Sequence, residues 1–404
     1  MADIQITNGV TSVGVLNPNM RVFDIVMPTE YGSSYNSYLV EGERSAALIE
    51  TVHLDFFDEY LENLRRAIDL NKIEYLVMNH NEPDHSGSVE RLAGLLPNLK
   101  IVVSQAGSLY LKNITNRSDL NLIIAKDGES LDLGGKTLRF ISAPFLHWPD
   151  SMFTWLPEEK VLFSCDFLGA HFCEPTMLDT HLPERYRDGY FSAMVGYYGA
   201  IFGPFKPYVL KGLEKIQGLD IQYAATSHGP VLTKGGMLEK VMDYYRETSQ
   251  PVVHEQPLIP VFYTSAYHNT EKLALAIARG IKEVLPHAEV TAYDLVYADP
   301  AETARLINEC DGCMIGSPTI NRDAVPPIWA LLSHVDAVNF AKRPVGLFGS
   351  YGWSGEGVPN LRARLEGLKA RLMPEDFRVV FVPTEADLEK AKAFGRSFAE
   401  QIKG

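Results

Sequence analysis

The chain has 404 residues, of which 46% are hydrophobic, so it is long enough to bury two substantial cores. Its formal net charge of -14 disfavours nucleic acid and anionic membrane surfaces as partners. No run of about 18 apolar residues occurs, and the first residues lack the pattern of a signal peptide, so neither a membrane span nor export is expected. Four dispersed cysteines do not make a disulfide framework, which favours the cytoplasm.

Short strands and helices alternate irregularly in the first half of the chain. The pattern predicts a hairpin of Ser37–Val40 and Ser45–Ile49, followed by a helix over Leu54–Ile68. Further strands are expected at Ile73–Met78, Lys100–Val103, Leu120–Ala125, Thr137–Ser142, Met152–Leu156, Val161–Ser164 and Tyr223–Thr226. Many strands with helices between them indicate sheets that are covered by helices.

The loop after the strand Ile73–Met78 concentrates residues that can bind metal. It contains His80, Glu82, Asp84 and His85, and a helix over Ser88–Leu96 follows, with Ser86 or Ser88 as its cap. A loop at a strand end holds side chains on a fixed scaffold. Four such residues on one tight turn indicate two metal ions, because one ion cannot use all of them.

Three more candidate ligands follow later strands. His147, Asp166 and His228 each stand where a predicted strand gives way to a loop. If these strands share a sheet, their ends converge on one edge. Taken singly, each would more often be a hydrogen-bonded structural group, so the four-residue loop carries the prediction.

The seven candidates comprise four imidazoles and three carboxylates, a mixed set that favours redox iron over zinc. Three negative charges also help to compensate two iron ions as they change oxidation state. Trp148 and Tyr197–Tyr198 are candidates for the pocket wall, with core packing as the alternative. The remaining histidines are left out of the set, although His171 is a candidate to support it: His53, His171, His181, His254, His268, His287 and His334.

The segment 250–257 contains two prolines and little periodicity, which predicts a linker. Beyond it the pattern is regular. Strands are predicted at Leu258–Thr264, Glu289–Asp294, Gly312–Ser317, Pro344–Ser350 and Arg378–Pro383, and helices at Asn269–Val284, Pro300–Glu309, Ala324–Val335, Gly357–Leu372 and Glu385–Lys403. Five strands that alternate with helices predict a doubly wound parallel sheet, in which ligands bind beyond the carboxyl ends of the strands.

Three polar loops follow the first, third and fourth of these strands. Their candidate ligand-binding residues are Ser265, Ala266, Tyr267, His268, Asn269 and Thr270 in the first loop, Ser317, Pro318, Thr319, Ile320 and Asn321 in the second, and Ser350, Tyr351, Gly352, Trp353, Ser354 and Gly355 in the third. The first loop opens a helix and suits one phosphate. It has no Gly-x-Gly-x-x-Gly, so a dinucleotide is disfavoured. The second and third loops resemble the two that hold the flavin ring in flavodoxins, so the resemblance implies FMN as the cofactor.

Together these motifs resemble the flavodiiron proteins (A-type flavoproteins), over essentially the whole chain. Residues 1–249 resemble the metallo-β-lactamase fold, an αββα sandwich, with Glu82 in place of the second His of its His-x-His-x-Asp-His loop. Residues 258–404 resemble flavodoxins, although His268 stands where glycine is frequent. A five-stranded parallel sheet is expected in this second domain.

The resemblance implies a role for each ligand. His80, Glu82 and His147 would bind one iron, Asp84, His85 and His228 the other, and Asp166 would bridge them. In some family members the histidine at the position of His85 does not ligate, so its role stays open.

The resemblance also implies the activity. FMN would pass electrons to the irons, which would reduce dioxygen to water or nitric oxide to nitrous oxide. The donor would be a separate molecule, rubredoxin or a reduced deazaflavin coenzyme, and the assembly a head-to-tail homodimer or a dimer of such dimers. Two alternatives stay open: a binuclear zinc hydrolase with an appended flavodoxin domain, and an electron-carrier or regulatory flavoprotein with an inactive metal site.

Overall fold

The computed structural model describes residues 4–403, and the chain divides into two units between Pro251 and Val252. This point falls inside the predicted linker, 250–257. Residues 1–3 and 404, the outer ends of the two predicted domains, lie outside the described residues. Within residues 4–403, every helix is too short or too polar to cross a lipid bilayer.

The first unit contains seventeen strands and seven α-helices among its described residues. The strands are β1 (Ile4–Thr7), β2 (Val10–Ser12), β3 (Val15–Asn17), β4 (Val22–Phe23), β5 (Met27–Pro28), β6 (Ser33–Tyr35), β7 (Tyr38–Glu41), β8 (Ala46–Ile49), β9 (Ile73–Met78), β10 (Lys100–Val103), β11 (Leu122–Ile124), β12 (Ser130–Asp132), β13 (Thr137–Ser142), β14 (Met152–Leu156), β15 (Val161–Cys165), β16 (Tyr223–Thr226) and β17 (Leu232–Thr233). The helices are α1 (Phe57–Ala67), α2 (Pro83–Ser86), α3 (Val89–Leu95), α4 (Gln105–Thr115), α5 (Glu184–Tyr197), α6 (Lys206–Ile216) and α7 (Leu238–Thr248).

Two large sheets form the centre of this unit. One has the strand order β1-β2-β7-β8-β9-β10-β11 and the other has the order β12-β13-β14-β15-β16-β17. Apolar side chains from both sheets, such as Val77 and Phe163, pack together in one core. Helices α1, α3 and α4 cover the outer face of the first sheet, and α5, α6 and α7 cover that of the second. The predicted αββα sandwich is confirmed.

Local sequence patterns explain most of these elements. The predicted hairpin is confirmed as β7 and β8, which pair antiparallel, and the predictions at Thr137–Ser142 and Met152–Leu156 match β13 and β14. Strands β14 and β15 are buried along their whole length, because the sandwich covers both faces of the sheet.

The predicted cap of α3 is confirmed in position, at Ser88, but the capping hydrogen bond is absent. Ser88 occupies the cap position, but its hydroxyl makes no hydrogen bond. Ser86 belongs to the one-turn helix α2, which replaces part of the predicted loop, and its hydroxyl donates to the backbone oxygens of Asn81 and Glu82. A serine inside a helix can bond back to the carbonyl four residues earlier, and this bond competes with capping.

The second unit contains six strands and six α-helices among its described residues. In chain order they are β18 (Val261–Tyr263), α8 (Asn269–Val284), β19 (Ala292–Asp294), α9 (Pro300–Glu309), β20 (Cys313–Gly316), α10 (Pro326–Ser333), α11 (Ala337–Phe340), β21 (Pro344–Tyr351), α12 (Gly357–Gly367), β22 (Arg371–Leu372), β23 (Phe377–Val380) and α13 (Glu385–Lys403). The predicted bounds of α8, α9 and α13 match.

All strand pairs of this unit are parallel, in the order β19-β18-β20-β21-β22, and β23 also pairs with β21. Helices α8 and α13 pack on one face of the sheet, and α9, α10 and α12 pack on the other. The doubly wound parallel sheet is confirmed. Strand order reverses between β18 and β20, the position at which such sheets bind ligands.

The predicted helix Gly357–Leu372 is too long. Helix α12 ends at Gly367, and Lys369 then adopts a φ of 59°, in the left-handed region. This turn lets Arg371 and Leu372 pair with β21 as β22. The fifth strand position of the sheet is thus shared by β22 and β23.

Glycines bring α8 and α13 into backbone contact. A Cβ atom added at Gly280 would lie 2.0 Å from the backbone oxygen of Lys392, and one added at Gly395 would lie 2.2 Å from that of Ile277. Backbone cannot move aside as a flexible side chain does, so any larger residue at either glycine must separate the two helices.

We expect Gly280→Ala to lower the free energy of unfolding of the full chain by about 1–3 kcal/mol, the usual cost of overpacking. Gly367→Ala is the matched control, because an added Cβ there has no neighbour within 4 Å. Denaturant unfolding followed by circular dichroism measures both. Equal stability of the two variants would contradict the close helix contact.

Candidate metal centre and flavin site

The seven predicted metal ligands lie at ends of strands from both sheets of the first unit. His80 follows β9 of one sheet, and Asp166 and His228 follow β15 and β16 of the other. Asp84 and His85 are on the short helix α2. Cys165, directly before Asp166, has a φ of 53°, so the chain bends sharply where β15 ends.

The carboxylate of Asp166 lies at the centre of this cluster, and its oxygen Oδ2 faces one group of three side chains. Nε2 of His80 is 3.7 Å from this oxygen, and Nε2 of His147 is 3.3 Å from it. Oε2 of Glu82 is 3.2 Å from both of these nitrogens. His80, Glu82 and His147 therefore form one set.

Oδ1 of Asp166 faces a second group. Nε2 of His85 is 3.2 Å from this oxygen, and Nε2 of His228 is 3.4 Å from it. Asp84 reaches both histidines, with Oδ1 at 3.3 Å from His85 and Oδ2 at 3.1 Å from His228. The structure thus brings all seven side chains together, as two sets of three that share Asp166.

Several atoms of the cluster are buried without a hydrogen-bond partner: both oxygens of Asp84, Nε2 of His85 and Oδ2 of Asp166. Such atoms are costly unless something satisfies them. Two ligand atoms that each lie about 2.0–2.2 Å from one metal ion are separated by roughly 3.0–3.5 Å. Most nitrogen–oxygen distances in the cluster fall in this range. The residues therefore fit a pair of metal ions.

The buried carboxylates favour positive charge in the cluster. Burial alone lowers the pKa of the His85 imidazole, but Asp84 and Asp166 raise it to about 10. Burial also opposes ionisation of Asp166, yet the imidazoles of His85 and His147 hold its pKa well below the usual value. A field that stabilises protonated imidazoles would also stabilise metal cations.

Asp150 supports His80 through the ring nitrogen that does not face Asp166. Its Oδ1 lies 3.1 Å from Nδ1 of His80, and its Oδ2 accepts hydrogen bonds from the backbone and the side-chain amide of Asn81, at 2.8 and 2.9 Å. A carboxylate in this position fixes the orientation of a ligating histidine. The sequence analysis missed Asp150, and the available signal was its place in the same short loop as His147.

Two further supporting contacts come from distant parts of the chain. Nδ1 of His228 donates to the backbone oxygen of Ser34 at 2.7 Å. The hydroxyl of Tyr197 donates to Oδ1 of Asp166 at 3.0 Å. Tyr197 is thus both a buried core residue and a hydrogen-bond donor to the cluster. No sequence signal indicates Ser34, because its contact uses the backbone.

A third metal-capable group, Glu50 and Cys165, approaches His85. Burial raises the pKa of Glu50 to about 8, and burial raises the pKa of the Cys165 thiol well above its usual value. Protonated groups are poor metal ligands. Glu50 instead accepts a hydrogen bond from the backbone N–H of Asn79 at 2.7 Å, which ties the end of β8 to the metal-binding loop.

His171, one of the histidines left out of the set, lies against the cluster. Its ring centroid lies 4.7 Å from that of His228, and its Nδ1 lies 2.7 Å from the hydroxyl of Ser33. Burial, and then the proximity of His228, lower the pKa of the His171 ring well below its usual value. His171 therefore packs against a predicted ligand.

The predicted phosphate loop of the second unit has hydroxyl groups beside a helix start. The hydroxyl of Ser265 accepts a hydrogen bond from the backbone N–H of Glu271 at 3.3 Å, and the hydroxyl of Thr270 lies 2.9 Å from that of Ser350. The buried hydroxyl of Thr264 has no partner. Free N–H groups at the start of α8 complete a cradle that fits one phosphate.

His268 explains why glycine is frequent at its position. Its φ is 62°, in the left-handed region that side chains disfavour. The imidazole turns towards Glu271, with 2.6 Å between Nδ1 and Oε2. The loop therefore keeps the conformation that glycine would adopt.

The second and third polar loops line one cavity of about 560 Å³. Its lining residues are Thr319, Ile320, Asn321, Arg322, Gly352, Trp353, Ser354 and Glu356. Trp353 is 96% exposed, which leaves an aromatic face free to stack on a flat ring. Ser317, Pro318, Ser350, Tyr351 and Gly355 are not among the lining residues. The cavity and the phosphate cradle together fit FMN.

Two family profiles match the chain: residues 34–229 match the ODP family beta lactamase, and residues 261–395 match flavodoxin. The chain is 51% identical over 403 residues to the flavo-diiron protein FprA2 of Clostridium acetobutylicum, and the match covers 100% of both chains. It is 32% identical over 416 residues to the anaerobic nitric oxide reductase flavorubredoxin of Pectobacterium atrosepticum, covering 98% of this chain and 77% of the relative.

A solved structure, the rubredoxin oxygen:oxidoreductase of the anaerobe Desulfovibrio gigas, superposes with a TM-score of 0.69 at 29% identity, covering 99% of this chain and 98% of that one. Identity of 51% over the full length shows common descent and not only a common fold. The chain therefore belongs to the flavodiiron proteins, oxidoreductases that combine FMN with a di-iron site.

Proposed function

We propose that this protein reduces a small diatomic gas, dioxygen to water or nitric oxide to nitrous oxide, at irons held by the seven-residue cluster of the first unit. The observation that carries the proposal is the arrangement around Asp166. One carboxylate oxygen faces His80 and His147, and the other faces His85 and His228, while Glu82 and Asp84 complete the two sets. A carboxylate shared in this way suits a bridge between two ions.

The proposed ligand sets follow from these distances. His80, Glu82 and His147 would hold one iron, Asp84, His85 and His228 would hold the other, and Asp166 would serve both. His85 is included because its Nε2 faces Asp166 and Asp84 and has no hydrogen-bond partner. When bound, the irons supply redox-active coordination positions for a gas, and FMN supplies electrons one at a time.

The zinc hydrolase alternative is less well supported. A hydrolytic pair of zinc ions mainly has to acidify a bound water, whereas three buried carboxylates provide the negative charge that two redox ions require. An electron carrier with an inactive metal site is also disfavoured, because all seven candidates converge with unsatisfied atoms between them.

The chain's own residues hold the site rigid while charge changes. Asp150 and the backbone oxygen of Ser34 fix the rings of His80 and His228, and the hydroxyl of Tyr197 fixes Asp166. Reduction of dioxygen to two waters takes four electrons and four protons, and coupling two nitric oxides into nitrous oxide and water takes two of each. Both reactions need ligands that keep their places over successive electron transfers.

Electrons are proposed to enter through FMN in the second unit, with the phosphate at Ser265–Thr270 and the ring in the cavity beside Trp353. The donor is proposed to be a separate molecule, rubredoxin or a reduced deazaflavin coenzyme. Support for rubredoxin comes from the similarity to the rubredoxin oxygen:oxidoreductase of Desulfovibrio gigas. The cytoplasm is the proposed location, because all four cysteines are unpaired.

The metal and flavin contents of purified protein test whether the first unit binds iron and the second unit binds FMN independently. Purified protein is expected to contain two irons and one FMN per chain by elemental analysis and visible absorbance. Glu82→Ala or His147→Ala should lose iron and gas reduction but keep FMN, because the two sites lie in separate units. Exposed Glu90→Ala is the control. Zinc alone in native protein, or equal loss of FMN, would contradict the proposal.

Single-turnover assays choose between the gases. The reduced holoprotein, mixed anaerobically with either dioxygen or nitric oxide, is expected to reoxidise on both, and the faster rate identifies the preferred substrate. Glu82→Ala serves as the control, since its flavin should reoxidise without the rapid metal-dependent phase. Failure of both gases to reoxidise an iron-loaded protein would refute gas reduction.

A head-to-tail homodimer, or a pair of such dimers, is proposed because the two sites lie in different units and electrons have to pass between them. In this assembly, the flavin of one chain serves the irons of its partner. Ser265→Glu supplies a chain without flavin, since a carboxylate in the cradle repels the phosphate.

Mixed dimers of Glu82→Ala and Ser265→Glu chains, purified through two different tags, should regain gas reduction although each variant alone is inactive. Mixed dimers of Glu82→Ala and His147→Ala are the control and should stay inactive. No recovery in the first mixture would show that electrons pass within one chain.

A further inference from the structure

A cavity of about 450 Å³ lies beside the metal cluster in the first unit, between the hairpin β4–β5 and helix α5. We call it the hairpin pocket. Its lining includes Val26, Met27, Ala193, Gly196, His171 and Tyr197. Most of its surface is apolar, and two of its polar residues, Glu30 and Ser192, are exposed. The pocket belongs to neither the ligand set nor the flavin site.

The wall between the pocket and the metal cluster is one side chain thick. Tyr197 lines the pocket, and its hydroxyl donates to Asp166. His171 also lines the pocket, and its ring lies 4.7 Å from that of His228. The two wall rings pack edge to face, with 5.0 Å between their centroids. A small molecule in the pocket would therefore be separated from the proposed irons only by the side chains of Tyr197 and His171 and by the metal ligands.

The hairpin itself connects the pocket with the cluster. Its residues Val26 and Met27 line the pocket, while Phe23 lies 4.4 Å from the ring of His171 and 6.0 Å from that of His228. Asp24 and Ile25 at its tip have φ values of 46° and 57°. Such values are strained for a β-branched residue, and strained backbone concentrates at functional sites.

Two buried polar atoms on the pocket wall lack partners: Oγ1 of Thr29 and Nε2 of His171. Both residues are more than nine-tenths buried. The lining holds one carboxylate, Glu30, and that side chain is exposed to solvent. A mostly apolar cavity with few buried polar atoms suits an uncharged ligand, because burying an ion there would cost far more.

We propose that the hairpin pocket binds the gas substrate, an uncharged diatomic molecule, before the gas passes between His171 and Tyr197 to the irons. This inference rests on the proposed gas reduction. Apolar cavities of this kind concentrate small apolar molecules and take up xenon, so the pocket would raise the local gas concentration beside the metal cluster.

Glycines on and after α5 allow a clean test. A Cβ atom added at either Gly196 or Gly199 has no neighbour within 4 Å, and only Gly196 lines the pocket. Gly196→Leu should therefore fill the pocket without displacing backbone, and Gly199→Leu is the matched control. Ala200→Leu, also at a lining position, is the second filling variant in case Gly196→Leu does not fold.

Crystals of the full-length holoprotein under xenon gas measure binding without turnover. Xenon is expected in the pocket of the native protein and of Gly199→Leu, and is expected to be lost from Gly196→Leu. Ordered water that fills the pocket under xenon pressure, or xenon retained unchanged in Gly196→Leu, would overturn the proposal even if the irons reduce gas as proposed.

Steady-state kinetics test the route. Gly196→Leu should raise the KM for the gas several-fold and leave kcat unchanged, since slower capture lowers kcat/KM alone. Gly199→Leu should change neither. Unchanged KM in both filling variants would overturn the route while leaving the di-iron chemistry intact. Conversely, native protein that takes up xenon but reduces neither gas would refute the proposed function and not the pocket.

Discussion

The carboxylate of Asp166 is the interaction on which the first unit depends. It is buried at the centre of four imidazoles and two further carboxylates, of which only His147 is partly exposed. An unpaired buried charge costs many kcal/mol, whereas a paired and hydrogen-bonded one is tolerated. The sandwich must therefore bring every partner of Asp166 to the same point. It does so by ending β9, β15 and β16 around that point, although they belong to different sheets.

Contacts outside the seven residues keep this arrangement in place. Asp150 and the backbone of Ser34 hold two histidine rings, Tyr197 holds Asp166, and Glu50 fixes the start of the metal-binding loop. Several backbone positions near the cluster, among them Glu50 and Cys165, adopt left-handed φ values. The two packed sheets can tolerate such strain because their cores supply stability elsewhere. The hairpin β4–β5, which lies beside the cluster and lines the hairpin pocket, also has left-handed φ values, at Asp24 and Ile25.

The second unit forms its ligand site in a different way from the first. It gathers loops rather than charged side chains, and it does so where the parallel strand order reverses between β18 and β20. Helix starts and hydroxyl groups suit a phosphate, and an exposed tryptophan suits a flat ring. The close glycine contact between α8 and α13 keeps one face of this sheet compact. Each unit thus presents its ligand site at strand ends, with metal chemistry in one and flavin chemistry in the other.

The sequence by itself determined the fold class, the long periodic elements and the seven-residue metal prediction. Helices α8 and α13 and strands β13 and β14 follow from local periodicity, and His80 to His85 stand close together in the chain. The end of α12 and the lack of a capping hydrogen bond at Ser88 were not predicted. Each depends on which of two neighbouring turns the backbone adopts, and the local sequence does not decide this. Only the tertiary structure decided which atom faces which. The roles of Asp150, Ser34, Tyr197 and the hairpin pocket arise from contacts between residues that are distant along the chain, and no local pattern encodes such contacts.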